Sequence, residues 1–259
     1  MRRAYSLLLY LLLPFVLLHA WWRGWRDPAL RMPLGAKLGW GLAPRTDAPL
    51  WVHAASMGEL RAVAALLHAL GAKAGPVVVT VGTPAGLERA RQLFGAAGHD
   101  VRAAVWDLPG ATRRQVAALK PRALVIVETE LWPNLLAAAH AQGVPVSMVS
   151  ARVSPRSFDR YRMLAPALMR EALSSVRCIG AQTAADRERF IALGADASCV
   201  QVTGNLKFDV PEEQGVASLG MKLRARWAAD RPLWVAGSTH ALEEEILLEV
   251  QRQLMQSAR

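Results

Sequence analysis

At 259 residues, the chain is long enough for one large domain or two small ones. A composition that is 53% hydrophobic and 20% charged excludes a globally disordered protein. The formal net charge of +10 predicts attraction to an anionic partner. Composition alone leaves open whether that partner is nucleic acid, an acidic membrane surface or a phosphorylated substrate, and a general preference for arginine would also explain part of the charge.

The two cysteines, Cys178 and Cys199, form no CxxC pair and lie near no histidine cluster. This spacing argues against a disulfide framework and against a zinc site. It favours a reduced, cytoplasmic setting.

The N-terminus has the pattern of a membrane segment. Residues Ala4 to Trp22 form a Leu-rich run of 19 positions without a charge, close to the roughly 20 residues that a helix needs to cross a bilayer. Arginines flank both ends and are more frequent after the run, which predicts a cytoplasmic body or a helix lying in the inner leaflet. A cleaved signal peptide is the rival interpretation, but no small–x–small cleavage site is present. We therefore expect an anchor at 1–26 and a juxtamembrane linker at 27–49.

Short apolar runs alternate with helical patterns through residues 50–210. The predicted strands are Leu50–Ala54, Val77–Val81, Val101–Val105, Leu124–Val127, Val144–Val149, Cys178–Ala181 and Val200–Thr203. The predicted helices between them are Leu60–Leu70, Pro84–Phe94, Ala111–Leu119, Pro133–Ala141, Ser157–Leu173 and Ala184–Leu193. Continuous apolar strands separated by helices predict an α/β fold with a doubly wound, Rossmann-like parallel sheet.

A second unit is predicted at 211–259. It comprises a helix at Met221–Ala229, a strand at Leu233–Ala236, a turn and a helix at Leu242–Met255. One strand and its neighbouring helices cannot bury a sheet, so this region is expected to be the incomplete start of a second domain.

The first polar motif is Ser56-Met57-Gly58-Glu59, which follows the first predicted strand. Ser and Glu three residues apart fit a capping box, in which each side chain satisfies a backbone amide at the start of a helix. Alternatively, Glu59 is a general base at the rim of a pocket, and Gly58 allows a ligand to approach closely. The spacing leaves both interpretations open.

The second motif is the string from Glu128 to Asn134, which follows a buried strand. The carboxylates Glu128 and Glu130 are costly beside an apolar strand unless a cation or sugar hydroxyls meet them. In the alternative interpretation, one of the pair holds Arg152 or Arg156 in place. Pro133 suits the first turn of a helix.

The third motif, Gly204 to Asp209, follows the last strand of the first unit. It fits either a hinge with a ligand-contacting Lys207 or a solvated turn. No GxGxxG follows the first strand, and the chain has no P-loop, HExxH or nucleophile elbow. The scattered histidines, including His53, are interpreted as packing or surface residues.

These motifs together resemble those of the Kdo (3-deoxy-D-manno-octulosonic acid) transferases, glycosyltransferase family 30. The matching features are the apolar N-terminus ending in Trp and Arg, the Ser56 turn, Glu-Thr-Glu-Leu-Trp-Pro-Asn at Glu128–Asn134, Ala151–Ser154 with Ser157 and Tyr161, Gly204–Asp209, and Ser238–His240 with Glu243–Glu245. They match in order and in spacing, and the resemblance covers the whole chain.

The resemblance implies a GT-B fold, in which an N-terminal Rossmann-like domain binds the lipid acceptor and a C-terminal one binds CMP-Kdo. It implies an inverting, metal-independent transfer of Kdo to the 6'-hydroxyl of a lipid A precursor in lipopolysaccharide synthesis. The expected setting is the cytoplasmic face of the bacterial inner membrane. The implied partners are CMP-Kdo, the phosphorylated lipid A precursor and anionic inner-membrane lipids, with no nucleic acid and no cofactor.

The resemblance also assigns roles to residues. Glu59 matches the base that deprotonates the acceptor hydroxyl, and Glu130 matches a second acidic group facing the cleft. The implied substrate-binding residues are Ser56, Gly58, Glu128, Asn134, Arg152 and Lys207. Ser238 and His240 match the first turn of the donor domain.

Members of the family continue for about half this length again, so we expect the 259-residue chain to lack turnover by itself. Two alternatives remain, a non-enzymatic membrane-tethered module that binds the lipid acceptor and a different GT-B transferase that uses another nucleotide sugar. The missing phosphate-binding glycines argue against a Rossmann dehydrogenase.

Overall fold

The structure is a computed structural model that describes residues 1–28, 31, 33–128, 130–209 and 215–257. It divides into two compact units, Met1–Pro211 and Glu212–Arg259.

The first unit is built on a seven-stranded sheet in the order β3-β2-β1-β4-β5-β6-β7. The strands are β1 Leu50–Ala54, β2 Val77–Val81, β3 Asp100–Ala103, β4 Ala123–Val127, β5 Val146–Ala151, β6 Val176–Ala181 and β7 Val200–Val202. Every neighbouring pair is parallel. The chain runs outwards from β1 to β3 and then returns to place β4 on the other side of β1, so the strand order reverses between β1 and β4.

Helices connect the strands and cover the sheet. They are α1 Arg2–Arg26, α2 Leu34–Lys37, α3 Leu60–Leu70, α4 Pro84–Ala90, α5 Pro109–Leu119, α6 Pro133–Ala141, α7 Pro155–Leu164, α8 Pro166–Leu173 and α9 Ala184–Ala192. The five helices from α4 to α8 all begin at proline. A backbone N–H in the first turn of a helix has no partner within the helix, so proline, which has no N–H, loses no hydrogen bond there. These prolines fix where each helix starts after its strand or loop.

The core lies on both faces of the sheet. Successive side chains of β1 point to opposite faces, so Trp51 packs in one buried cluster and Val52 in the other. All five residues of β1 and of β2 are buried, as expected for parallel strands covered on both sides. The predicted doubly wound class is confirmed.

The second unit contains α10 Val216–Ala228 and α11 Glu243–Ser257. The strand predicted at Leu233–Ala236 is wrong, because these residues adopt no regular structure. A strand needs a hydrogen-bonding neighbour, and no other strand lies within residues 215–257.

Helix α1 packs along the first unit through one of its faces. Arg2 pairs with Glu171 at 3.0 Å, and the buried Ser6 hydroxyl donates to the Asn134 side-chain oxygen at 2.9 Å. One turn further on, Leu9 and Leu13 pack against an apolar cluster that contains Leu108. The opposite face is apolar and exposed, and α1 is long and apolar enough to cross a membrane.

The segment predicted as a linker contributes to the folded body. The Lys37 ammonium group is buried and donates to the carbonyls of Gly82 at 2.7 Å and Ala104 at 3.0 Å. Burial lowers the pKa of Lys37 to about 8. Arg45 in the same segment pairs with Asp100 at 2.7 Å. The residues between anchor and sheet therefore hold the ends of β2 and β3.

Asp107 joins three parts of this unit. Its carboxylate accepts the backbone amides of Asn134 at 3.1 Å and Leu135 at 2.8 Å, at the start of α6. It also accepts the hydroxyl of Tyr5 on α1 at 3.0 Å. Trp132, the N-cap residue of α6, makes no capping hydrogen bond, so Asp107 supplies the cap from a distant loop.

We predict that Asp107→Ala lowers the free energy of unfolding by about 1–3 kcal/mol, because two helix amides and a hydroxyl lose their acceptor. Urea denaturation in detergent, followed by circular dichroism, measures the change. The matched control is Asp159→Ala, at an exposed carboxylate on α7, which should stay within about 0.5 kcal/mol of wild type. Equal stabilities of the two variants would show that the cap contributes nothing.

Candidate active site

Two acidic loops meet where the strand order reverses. Glu59 follows β1, while Glu128 and Glu130 follow β4. The two strands are direct neighbours, with His53 paired to Ile126 near their carboxyl ends. Ligands of open α/β sheets bind in the crevice beyond the carboxyl ends at such a reversal. The first two predicted motifs therefore lie together at the position expected for a site.

Glu59 is only 7% exposed, and the loop that precedes it orients its carboxylate. One oxygen accepts the Ala55 backbone amide at 2.7 Å, and the other accepts the Ser56 hydroxyl at 2.8 Å. The carboxylate accepts a backbone amide near the start of the helix, as the Glu of a capping box does. The Ser half of the capping box is missing, because the Ser56 hydroxyl donates to Glu59 and does not cap helix α3. Burial raises the pKa of Glu59, and the negative charge of Glu128 raises it further. A carboxylate has about four acceptor positions, so both oxygens keep capacity for a further donor.

Two glycines near this loop differ in whether a side chain would fit at their position. A Cβ on Gly82 would lie 2.8 Å from the carbonyl oxygen of Ala55 and would displace the loop that holds Glu59. A Cβ on Gly58 would lie 3.8 Å from the Ser56 hydroxyl, which is ordinary contact. The fold therefore requires glycine at Gly82 but does not explain it at Gly58.

Glu130, in the loop after β4, is held by an aromatic residue. The Trp132 indole N–H donates to its carboxylate. Burial raises the pKa of Glu130 to about 7, and the charges of Glu59 and Glu128 add to the rise. Near neutral pH this group therefore exists in both protonation states.

Trp132 packs against a buried polar pair, His53 and Thr80. From the sequence, His53 is interpreted as a packing or surface residue. His53 meets the Trp132 ring edge-on, with ring centroids 5.2 Å apart, and its Nδ1 lies 2.9 Å from the Thr80 hydroxyl. Burial lowers the pKa of His53 to about 4, so the ring is neutral. His53 is a packing residue, as predicted, and it supports the indole that holds Glu130.

Glu128 is neutralised by cations from two other segments. Lys207 forms an ion pair with it, and Arg152 lies 3.5 Å from its second oxygen. The backbone of Glu128 has φ 59°, a left-handed conformation that is uncommon outside glycine. The structure therefore brings three predicted site residues together, and it confirms that one carboxylate of the pair holds Arg152.

A polar cluster fixes the segment that carries Lys207. The buried Ser150, at the end of β5, contacts the side chain of Asn205 at 3.2 Å and accepts the amide of Leu206 at 3.3 Å. Gln182 donates to the carbonyl of Ser150 at 2.9 Å. The turn Leu206–Phe208 packs against α3, the helix that starts after Glu59. Sequence reasoning missed Ser150 and Gln182, because a single Ser or Gln after a strand carries no distinguishing pattern.

Asn134, which the resemblance assigns to substrate binding, is buried and contacts α1. It is 2% exposed, its side-chain nitrogen donates to the Asp107 carbonyl at 2.7 Å, and its oxygen accepts Ser6. Its side chain therefore fastens α6 to α1 and to the loop after β3. Asp107, which completes this connection, was not predicted as a functional residue.

Ser238 and His240 lie in the second unit. Ser238 has φ 59°, and the amide of His240 donates to Glu243 at 2.9 Å. The hydrogen bond between His240 and Glu243 lies at the start of α11.

The loops after β1 and β4 together carry two carboxylates of raised pKa and one that is paired to cations. Burial raises the pKa of Glu59 and of Glu130, whereas Glu128 is paired with Lys207 and Arg152. Such a pair of carboxylates can accept a proton from a sugar hydroxyl and hold the sugar by hydrogen bonds. Among the residues that the structure describes, no three His, Cys, Asp or Glu side chains form a metal-binding group.

Residues 33–210 match the profile of one protein family, described as 3-deoxy-D-manno-octulosonic-acid transferase (kdotransferase). The match contains both acidic loops and the Lys207 turn. The chain belongs to the Kdo transferase family.

Individual Kdo transferases agree with this assignment. The chain is 40% identical to the 3-deoxy-D-manno-octulosonic acid transferase of Bordetella pertussis, over 96% of this chain and 59% of that protein. It is 31% identical to the enzyme of Haemophilus influenzae, over 97% of this chain and 59% of that protein. A probable mitochondrial transferase of Arabidopsis thaliana is also 31% identical, over 98% and 58% respectively. The chain thus spans somewhat more than half the length of these relatives.

Solved structures resemble the chain in fold. A crystal structure of UDP-N-acetylglucosamine 2-epimerase superposes with a TM-score of 0.50 at 13% identity, over 69% of this chain and 52% of that one. This likeness agrees with the Rossmann-like half of a GT-B fold that the sequence predicted.

We predict that Glu130→Gln removes a pH-dependent loss of stability. The pKa of Glu130 is about 7 in the folded protein and 4.5 as its ordinary value, so between these pH values the folded state binds more protons than the unfolded state. Stability therefore falls as pH rises through this window. Since one pKa unit corresponds to about 1.4 kcal/mol, the variant should be about 1–3 kcal/mol more stable than wild type at pH 8 and similar to it at pH 4.

Denaturant unfolding at the two pH values tests this expectation. Glu88→Gln, at an exposed carboxylate of α4, is the matched control and should show no such difference between pH 4 and pH 8. A Glu130→Gln variant whose stability relative to wild type is the same at both pH values would contradict the burial of a titrating carboxylate here.

Proposed function

We propose that this chain is the acceptor-binding half of an enzyme that transfers Kdo from CMP-Kdo to the 6'-hydroxyl of a lipid A precursor in lipopolysaccharide synthesis. The observation that carries the proposal is the convergence of Glu59 and Glu130 at the strand-order reversal, within a chain of the Kdo transferase family. The membership supports the reaction type, and the geometry supports the roles of these residues.

Glu59 acts as the general base. The amide of Ala55 and the hydroxyl of Ser56 orient its carboxylate, and burial raises its pKa, which makes it a stronger proton acceptor. The proton of the acceptor hydroxyl passes to Glu59 as the oxygen attacks the anomeric carbon of Kdo. The bond from that carbon to the phosphate of CMP breaks on the opposite side, so the configuration inverts and CMP leaves with the electron pair. The step requires no metal.

Glu130 and the cations have supporting roles. Trp132 fixes Glu130 at the crevice, where it accepts a hydrogen bond from the acceptor sugar. Arg152, whose side chain is 62% exposed, and Lys207 supply positive charge for a phosphorylated acceptor. Gly58, which the fold does not require, leaves room for the sugar beside the Glu59 loop. Ser238 and His240 belong to the donor side.

Helix α1 and the charge balance support a location at the membrane. An exposed apolar helix face and a net charge of +10 support binding to anionic lipids at the cytoplasmic face of the inner membrane, without a role for nucleic acid. The polar contacts of Arg2 and Ser6 with the body favour a helix that lies in one leaflet over one that crosses the bilayer.

A second candidate function is a membrane-tethered module that binds the acceptor without catalysis. Its support is the exposed apolar face of α1 together with the net charge of +10. This function predicts that the 259 residues bind the acceptor without transferring Kdo. Radiolabelled Kdo transfer by the isolated chain would contradict this expectation.

The decisive variant is Glu59→Ala in a full-length transferase that contains these residues. Loss of a general base should lower turnover about 10²–10⁴-fold while acceptor binding and folding persist. Glu88→Ala is the control and should retain full turnover. If Glu59→Ala kept its turnover and lost only about 1 kcal/mol of stability, Glu59 would be a helix-capping residue alone.

A further inference from the structure

An apolar cavity lies directly behind the candidate active site. Its volume is about 330 Å³, within the usual range of ligand pockets of about 300–1,000 Å³. One wall is helix α1, through residues that include Leu9, Leu12 and Val16. The facing wall comes from the loops after β3 and β4, through Trp106, Leu131 and Trp132.

The cavity shares a wall with the catalytic crevice. Trp132 lines the cavity, and its indole N–H donates to Glu130. The polar groups at the edge of the cavity already have partners, because the Tyr5 hydroxyl donates to the Asp107 carboxylate. The cavity therefore offers apolar surface to a ligand and needs no charge from it.

A second cavity, of about 610 Å³, adjoins the first, and Val16 and Trp106 line both. Its walls include the cations Arg23 and Arg31, and also Lys37, whose ammonium group is already bound to the carbonyls of Gly82 and Ala104. This basic cavity also reaches Gly82, whose backbone packs against Ala55 in the loop that holds Glu59. Positive charge beside the apolar cavity matches the chemistry of a phosphorylated lipid.

The apolar cavity is also accessible from the side that faces lipid. Leu12 and Val16 are 46% and 42% exposed although both line it, and their helix carries further exposed apolar side chains, including Leu11 and Phe15. A chain in the surrounding lipid can therefore enter along α1 without crossing a polar surface.

We propose that this cavity binds one acyl chain of the phosphorylated glycolipid acceptor, with a phosphate of the same molecule at the basic cavity. The proposal rests on the proposed function and adds how the acceptor is selected. The acyl chain lies against Trp132, so the attached sugar is held at Glu130 and Glu59. Acceptors with acyl chains are then preferred over the bare disaccharide, and helix α1 is part of the acceptor site as well as an anchor.

The test compares two tryptophan variants of neighbouring residues on α1. Leu12→Trp fills the cavity, whereas Leu11→Trp adds the same group to the outer, 63% exposed face. Binding to the 259-residue chain in detergent is measured with a tetra-acylated lipid A precursor and with its fully deacylated, phosphorylated disaccharide. Circular dichroism and thermal unfolding confirm that both variants are folded.

We expect Leu12→Trp to weaken binding of the acylated precursor at least about tenfold, since each methylene withdrawn from water contributes about fourfold. Binding of the deacylated disaccharide should not change, and Leu11→Trp should affect neither ligand. Equal affinities of both variants for the acylated precursor would overturn the inference while leaving the proposed function in place. Failure of the wild-type chain to bind either ligand would overturn the proposed function itself.

A second measurement does not depend on the variants. A precursor that carries a diazirine at the end of an acyl chain is photocrosslinked to the wild-type chain, and labelled peptides are mapped. Labelling of the loops that contain Trp106 and Leu131, resistant to an excess of phosphatidylglycerol, supports the proposal. Labelling confined to the outer face of α1, or displaced by phosphatidylglycerol, would show that the cavity does not select the acceptor.

Discussion

The parallel pairing of β1 with β4 is the constraint on which the site depends. The two strands are far apart in sequence, but because β4 returns to the open side of β1, their carboxyl ends are neighbours. The loop that carries Glu59 and the loop that carries Glu130 therefore lie at the same edge of the sheet. Any change that separated these strands would separate the two carboxylates, even if every local hydrogen bond survived.

Three carboxylates in one crevice repel one another and lose hydration, and the chain offsets this cost unevenly. Glu128 receives two cations, whereas Glu59 receives an amide and a hydroxyl, and Glu130 an indole N–H. Neutral donors stabilise a charge less than cations do, so these two groups remain basic. These contacts also connect the site to the rest of the first unit. Lys207, which pairs with Glu128, lies in the turn at the end of this unit. Trp132, which binds Glu130, is the N-cap residue of α6, and α6 is bound by Asp107 and by Ser6 of α1. Helix α1 and the three carboxylates are therefore connected by one continuous set of contacts.

Most of the sheet could be predicted from sequence because buried parallel strands are continuous apolar runs. β1, β2, α3 and α6 begin and end where the pattern indicates. The strand predicted at Leu233–Ala236 failed because an apolar run specifies a strand only when a partner is available. The motif residues Glu59, Glu128 and Glu130 could be found from their position after such runs. The sequence left open which carboxylate of the second motif pairs with an arginine and whether the arginine is Arg152 or Arg156, and the structure shows Glu128 with Arg152.

Other features of the site could not be read from the sequence because they depend on tertiary contacts. Asn134 looks like a ligand-binding residue within its motif, but the packing of α1 buries it. Asp107 is a lone acidic residue in a loop, and only the structure shows that it caps α6 from there. The same holds for Lys37, which lies in a stretch with the composition of a linker and is nevertheless buried.

The central claim is that a buried carboxylate after β1 meets the acceptor hydroxyl. A crystal structure of the chain with the tetra-acylated lipid A precursor tests it most directly. The account predicts the 6'-oxygen of the acceptor at hydrogen-bond distance from a Glu59 carboxylate oxygen, about 2.6–3.2 Å, with Glu130 bonded to the same sugar. An acceptor bound elsewhere, with Glu59 in contact only with Ala55 and Ser56, would contradict it.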